Sequence, residues 1–508
     1  MSRRELLKAG IATGLYFAFP SGAECGALPG YNKIAASDNK ALYLLHCHII
    51  DVVQGVVQRD KTVVIRRGLI DVVTDGPPTP EQGAVSLDLK YQYLMPGLID
   101  AHCHSTLTSE SQLDVFGVFT TLRQFKRNFI QQFVHGVTTI RDMGAMPKML
   151  QDGLTMIAKG DIVGPRVVYC NAFTNIYGGH PDIDPGDLSI FSRLVMAFTG
   201  SPCLWFKDTR ELEEGMRQNS VGASFIKLTM DNQSLMCGLS DIPLYSDEHL
   251  SVIMKFAREH HLHTAGHIHT KFGFDRALRY GLNSMEHSVA DASLSDKEVL
   301  EVAQKKIAVV PTMIIAQMLA AEEAYGTLPP QYRTDFIVNE VAIRRQYLNS
   351  ELSDVIEPSI HLANMASLTN YQKFGCENLY SKGLFLARPD IYFNILLRGP
   401  ENLLKMKQAG VLIGCGTDSG VPFIYHGTLW REMEMLARVG FSNKEILQCA
   451  TINNARILQM ADKIGSIEKG KFADMIVLKE NPLDKLEVCR SPQRVIKDGR
   501  VYDVTVRV

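Results

Sequence analysis

The chain has 508 residues, 46% of them hydrophobic and 21% charged, which is enough apolar material for a large core and excludes a disordered or low-complexity chain. Lys plus Arg number 53 against 55 Asp plus Glu, a formal net charge of -2 that suits neither nucleic acid nor an anionic membrane surface as main partner. No apolar run reaches the roughly 18 residues of a membrane span, and the ten Cys form no C-x-x-C pair, so neither a Cys-based zinc module nor a disulfide framework is expected.

At the start, Arg3, Arg4 and Lys8 precede an apolar stretch from Ala9 to Pro20 and small residues at Ser21-Gly22-Ala23. Those three parts resemble a twin-arginine export signal. Residues 1–30 are read as that signal, so the mature chain would begin between about Ala23 and Asp38 in the periplasm. An amphipathic first helix fits less well, because the stretch is apolar on every side. A lipoprotein reading at Cys25 is weakened by Glu24 before it, and losing Cys25 leaves nine thiols, an odd number that points to buried free Cys.

Short β-branched or alternating runs follow at 41–50, 62–65 and 69–74. The far end repeats the pattern at 475–478, 494–497 and 501–506, with Asp498-Gly499 as a hairpin turn. Neither set can bury both faces alone. Residues 38–95 and 459–508 are therefore expected to pair into one small flanking β-sandwich domain.

Between 96 and 458, short apolar runs alternate with helical periodicity. Strands are predicted at 98–104, 138–141, 166–171, 225–228, 263–267, 284–287, 308–310 and 412–416. In the helical stretch 246–260, Ser246 can cap and Leu250, Ile253, Met254 and Ala257 share a face. Eight such repeats predict an α/β protein built on a (β/α)8 TIM-like barrel. A doubly wound open sheet is the competitor, and no G-x-G-x-x-G opens a helix here.

In such a barrel functional groups gather at the C-terminal ends of the strands. His102 and His104 alternate on one face of the first strand, Lys227 lies in the apolar fourth, His267 and His287 end the fifth and sixth, and the eighth leads to Asp418. Each alone has an ordinary reading: a core His, a snorkelling Lys, a turn Asp. Together, in strand order and at strand ends, they point to a metal site.

The motif Met95-Pro96-Gly97-Leu98-Ile99-Asp100-Ala101-His102-Cys103-His104 resembles the opening segment of the amidohydrolase superfamily, in its imidazolonepropionase/prolidase-like branch. Gly136-Val137-Thr138-Thr139-Ile140-Arg141-Asp142, Ser284-Met285-Glu286-His287, Gly416-Thr417-Asp418, Ala450-Thr451-Ile452-Asn453 and the closing 464–474 extend the resemblance from Ala41 to Tyr502. It implies two divalent metal ions, one held by His102, His104 and Asp418 and the other by His267 and His287. Lys227 would carry a CO2-derived carboxylate bridging both, which burial favours by depressing the amine pKa. Zinc suits this ligand set, and manganese or iron also fit. Imidazolonepropionases are mononuclear and lack the lysine, so Lys227 moves the reading toward metal-dependent dipeptidases and N-acyl amino acid amidohydrolases.

The implied reaction is hydrolysis of an amide bond by metal-activated hydroxide, with Asp418 passing a proton to the leaving amine. His180, in Tyr177-Gly178-Gly179-His180, and His269 would contact the small-molecule substrate, although Pro181 stands where relatives usually have Gly. The same site could open a cyclic amide, a lactone or a phosphotriester. A non-catalytic scaffold is disfavoured because none of the six ligands is missing, and a homo-oligomer is left open. The segment from about 313 to 400 is far longer than an ordinary connection. It holds a helical pattern at 334–347 and aromatics at Phe374, Tyr380, Phe385 and Tyr392, and reads either as an external helical excursion or as a lid.

Overall fold

The computed structural model describes residues 30–505 except 39, 110–116, 181–195, 235–239, 352–355, 357 and 375–388. The export segment, Pro181, Tyr380 and Phe385 thus lie outside the described residues. The first six strands are β1 (Asn32–Ala36), β2 (Leu42–Asp51), β3 (Val56–Arg66), β4 (Leu69–Asp75), β5 (Val85–Asp88) and β6 (Tyr93–Pro96). The short hydrophobic runs expected in this region extend into longer strands, because β2 and β3 pair with each other along most of their length.

Next come β7 (Leu98–Cys103), β8 (Val137–Asp142) and β9 (Arg166–Tyr169), a parallel three-stranded sheet. A six-stranded parallel sheet follows from β10 (Phe173–Ile176), β11 (Cys203–Phe206), β12 (Phe225–Thr229), β13 (His263–His267), β14 (Ser284–Glu286) and β15 (Ala308–Val310). Its order is β11-β10-β12-β13-β14-β15. Every residue of β7, β8, β12, β14 and β15 is buried, as parallel strands covered on both faces require. One covering helix, Asp247–Glu259, is capped by Ser246 as expected, and it buries Leu250, Ile253, Phe256 and Ala257.

Two of the predicted strands need correction. The third predicted strand, 166–171, breaks after Tyr169, where Asn171 takes a left-handed φ of 60°. Asn219 bridges the break, its amide donating to the carbonyls of Cys170 at 3.2 Å and Ala172 at 2.7 Å. The chain resumes as β10, flanked by an edge strand, β11, that carried no sequence signal. The eighth predicted strand, 412–416, is not a strand but an extended passage with bridges at Ile413 to β15 and Ser419 to β7. Side chains replace its ladder. The Cys415 N–H donates to Asn454 Oδ1 at 3.0 Å, and the Thr417 N–H to Asp100 Oδ1 at 3.1 Å. Backbone bonds from Ala101 to Cys415 (3.0 Å) and from Gly414 to Val309 (2.8 Å) still tie the passage between β7 and β15.

The chain ends with β16 (Met475–Leu478), β17 (Arg494–Lys497) and β18 (Arg500–Asp503), and Asp498 and Gly499 make the expected turn with φ of 48° and 69°. β16 pairs with β6 and β18 with β1, so both chain ends share a nine-stranded sheet in the order β1-β18-β17-β16-β6-β2-β3-β4, with β5 beside β2. In place of the expected sandwich of two sheets there is one continuous ladder. The cause lies in β2, which is bulged on either side of Cys47 and pairs first with β5 and then with β6. Bulges bend a strand, and the sheet encloses its own core of Leu42, Leu44, Val63, Met475, Val477 and Val501.

The passage beside β7 has no room for a side chain at Gly416: a Cβ there would meet Val310 Cγ1 at 2.7 Å and the His102 backbone nitrogen at 2.8 Å. Gly416→Ala is expected to cost about 1–3 kcal/mol, the usual range for overpacking. Urea unfolding should show a lower midpoint at unchanged slope; an unaltered midpoint would mean that the passage is loosely packed.

Candidate metal centre

The ends of β7, β12, β13 and β14, with the passage after residue 412, bring all six expected ligands together. Asp418 Oδ1 lies 3.2 Å from His102 Nε2 and 3.0 Å from His104 Nε2. The ring centroid of His287 is 4.7 Å from that of His102 and 4.5 Å from that of His267. Lys227 is buried on β12, and its register partner on β13 is Ala265, two residues before His267.

Two groups of three side chains present ligand atoms within 4.8 Å of one another: His102, His287 and Asp418, and His267, His269 and His287. His287 belongs to both. His269, expected only beside the substrate, has its ring stacked on His287 at 4.5 Å and so stands among the ligand atoms. His180 stacks on His267 at 4.2 Å, with its Nδ1 3.3 Å from Ser234 Oγ.

A cation suits the donors that remain. His102 Nε2, Lys227 Nζ, His267 Nε2, His269 Nδ1 and Asp418 Oδ1 are all buried without a hydrogen-bond partner. The short distances around Asp418 Oδ1 are thus not aligned as hydrogen bonds. Each such buried atom costs about 1–3 kcal/mol if nothing binds it. The opposite ring nitrogens are occupied: Nδ1 of His102 donates to Glu286 at 2.9 Å, Nδ1 of His104 to the Gly144 carbonyl at 2.8 Å, and Nδ1 of His287 pairs with Thr312 Oγ1 at 2.7 Å. That arrangement leaves Nε2 of each ring turned inward, the disposition of a metal-binding His with a fixed tautomer.

Burial, reinforced by neighbouring imidazoles, holds His267 and His287 well below the usual histidine range, so both are neutral donors near pH 7. Burial and nearby charge also bring His180 and His269 to about 3. Burial lowers the Lys227 amine to about 8, against the pull of the Glu286 and Asp418 carboxylates. Burial works to raise Asp418, but His102 and His104 outweigh it and keep the carboxyl well below its ordinary value.

Beneath the ligands lies a polar layer that no strand-end argument singled out. Glu286 accepts from Arg141 at 3.0 Å and Ser284 at 2.5 Å as well as from His102. Asp100 holds the His102 and Thr417 N–H groups, Asp142 holds those of Ser105 and Gly144, and Asp231 those of His269 and Thr270. Their signal was present in the motifs, since Asp100, Arg141, Asp142 and Glu286 all lie inside them. Two open clefts, of about 610 and 450 Å³, lie elsewhere: one beside β9 to β11, the other at the N-terminal ends of β13 and β14.

A family model described as the amidohydrolase family matches residues 93–502. The chain belongs to the amidohydrolase family. This amidohydrolase is accordingly a hydrolase of carbon–nitrogen bonds from a metal-dependent family. It is 24% identical over 497 residues to an ochratoxinase of Aspergillus niger, covering 92% of this chain and 88% of that protein. Its fold is shared with a Xaa-Pro dipeptidase with bound methionine (TM-score 0.66, 22% identity, 91% and 100% of the two chains). A prolidase complexed with n-methylphosphonate-L-proline is equally similar (TM-score 0.67, 22% identity, 91% and 99%). No helix among the described residues is long and apolar enough to cross a membrane.

Glu286 is the keystone of the polar layer. Burial works to raise its pKa, but Arg141 and His102 hold it down at about 2. A depressed carboxyl contributes stability that is full above its unfolded value of about 4.3 and is lost as pH falls toward the folded value. Metal-free protein should therefore lose stability between about pH 4.3 and 2. Glu286→Gln, which strands the Arg141 charge, is expected to cost about 3–5 kcal/mol at neutral pH and to flatten that acid slope. An unchanged slope on chemical denaturation at several pH values would place the acid sensitivity elsewhere.

Proposed function

We propose that residues 96–458 form a (β/α)8 barrel whose mouth holds two divalent metal ions, most simply zinc, and that the protein hydrolyses the amide bond of a dipeptide or an N-acyl amino acid. The observation that carries this reading is the set of buried, unpartnered atoms from four segments: His102 Nε2, Lys227 Nζ, His267 Nε2 with His269 Nδ1, and Asp418 Oδ1. His102, His104 and Asp418 would hold one ion, His267 and His287 the second, and a carboxylated Lys227 would bridge them. When bound, such ions supply a nucleophile at neutral pH and polarise a carbonyl oxygen. The substrate class is suggested by the prolidase and Xaa-Pro dipeptidase relatives.

The protein's own groups have separate tasks. Ionised Asp418 accepts a proton and delivers it to the leaving amine. Neutral His269 and His180 face the substrate, and His180 is kept in place by Ser234 and by its stacking on His267. The long segment after β15 walls the mouth: Asn364 donates to the Ser109 carbonyl at 2.9 Å, beyond β7, and Arg398 to the Ala290 carbonyl at 3.0 Å, beyond β14. Arg3-Arg4 and the apolar stretch after them support export to the periplasm by the twin-arginine route.

Metal-loaded protein should therefore cleave members of a panel of dipeptides and N-acyl amino acids, and a chelator should abolish the activity. Asp418→Asn is expected to lower kcat by about 10²–10⁴-fold, the range for a lost general acid–base group. If lactones or phosphotriesters turn over while every amide is inert, the substrate assignment is wrong.

A further inference from the structure

β15 is followed by Pro311 and then Thr312, which is buried and takes a left-handed conformation with φ 44° and ψ 45°. A β-branched residue pays a steric penalty there, because its Cβ crowds the backbone. Such strain persists only where the surroundings over-determine it. Two sets of contacts do so. From the near side, Thr312 Oγ1 lies 2.7 Å from Nδ1 of His287, which is itself left-handed with φ 75°. From the far side, the N–H groups of Met313 and Ile314, immediately after Thr312, donate to the two carboxylate oxygens of Glu432 at 2.9 and 2.8 Å. Glu432 is wholly buried on the helix Leu429–Val439, which begins eleven residues after Asp418.

We infer that Thr312 is a positioning residue for His287, and that Glu432 anchors it by fixing the backbone that follows. The inference rests on the metal-centre reading above. With Nε2 of His287 turned into the ligand cluster, Nδ1 carries the proton and donates to Thr312 Oγ1, which fixes both the tautomer and the plane of the ring. Among the inward-turned imidazoles, His102 leans on a carboxylate and His104 on a backbone carbonyl. His287 leans on a hydroxyl whose own backbone is strained, so its aim depends on the Glu432 contacts. Because His287 belongs to both groups of ligand atoms, a small rotation of this one ring would disturb both.

The test compares wild type, Thr312→Val, Thr312→Ser and Glu432→Ala as full chains stripped of metal. Zinc affinity is measured by competition with a chromophoric chelator, and melting of the metal-free protein serves as a control for folding. Thr312→Val keeps the shape and loses the acceptor, so zinc binding should weaken about 10–100-fold, the usual effect of removing a partner of a metal-bound His. Thr312→Ser keeps the hydroxyl and should stay close to wild type, and Glu432→Ala should weaken zinc in the same direction as Thr312→Val. If Thr312→Val folds poorly, Thr312→Ala replaces it with the same expectation. The visible spectrum of the cobalt-substituted protein should change in Thr312→Val and not in Thr312→Ser. Wild-type affinity in Thr312→Val, or equal losses in Val and Ser, would overturn the role of the hydroxyl. Unchanged affinity in Glu432→Ala would overturn that of the anchor. A wild type that binds no zinc would instead overturn the metal-centre reading on which the inference rests.

Discussion

Buried polar atoms without partners set the terms for the rest of this structure. His102 Nε2, Lys227 Nζ, His267 Nε2 and Asp418 Oδ1 lie buried on the parallel strands β7, β12 and β13 and in the passage after residue 412, and none of them makes an aligned hydrogen bond. At about 1–3 kcal/mol each, four such atoms cost on the order of 4–12 kcal/mol, as much as the whole net stability of a typical domain. A fold tolerates that only if something binds the atoms. The chemistry of the set, imidazoles with one amine and one carboxylate, selects a cation.

The layer beneath makes the arrangement rigid. Asp100, Asp142, Asp231 and Glu286 are buried carboxylates, each taken up by backbone N–H groups or by Arg141 and its neighbours. They align the backbone from which the candidate ligands project. Strain gathers at the same level: His287 and Asp418 both have positive φ, 75° and 59°. Left-handed residues reverse the chain sharply as it leaves a strand, so a ligand can face the centre while the backbone departs. Sheet packing, polar layer and strained turns thus serve one purpose, which is to hold nitrogen and oxygen atoms where water cannot satisfy them.

Much of this was legible in the residues. The alternation of His102 and His104, the apolar setting of Lys227, the positions of His267 and His287 at predicted strand ends and of Asp418 just past one point to the residues that the fold brings close together. The hairpin at Asp498-Gly499 and the cap at Ser246 were equally plain, because both depend on local chemistry. What escaped depends on distant partners. The eighth strand failed because Asn454 and Asp100, remote in sequence, take the hydrogen bonds a neighbouring strand would have taken. β11 was missed because four residues at a sheet edge carry too little periodicity. The single bent sheet was mistaken for a sandwich because the bulges of β2 leave no mark in a hydrophobic pattern. Thr312 could not be singled out from sequence, since its importance lies in a backbone conformation and in Glu432, which reaches it from a later helix.

The central claim is that the unpartnered donors enclose two cations bridged through Lys227. Anomalous diffraction at the zinc edge from crystals of the zinc-loaded protein measures this directly. Two peaks are expected, with His102, His104 and Asp418 around one, His267 and His287 around the other, and density for a carboxylate on Lys227 between them. A single fully occupied peak, with Lys227 unmodified and touching no metal, would contradict it.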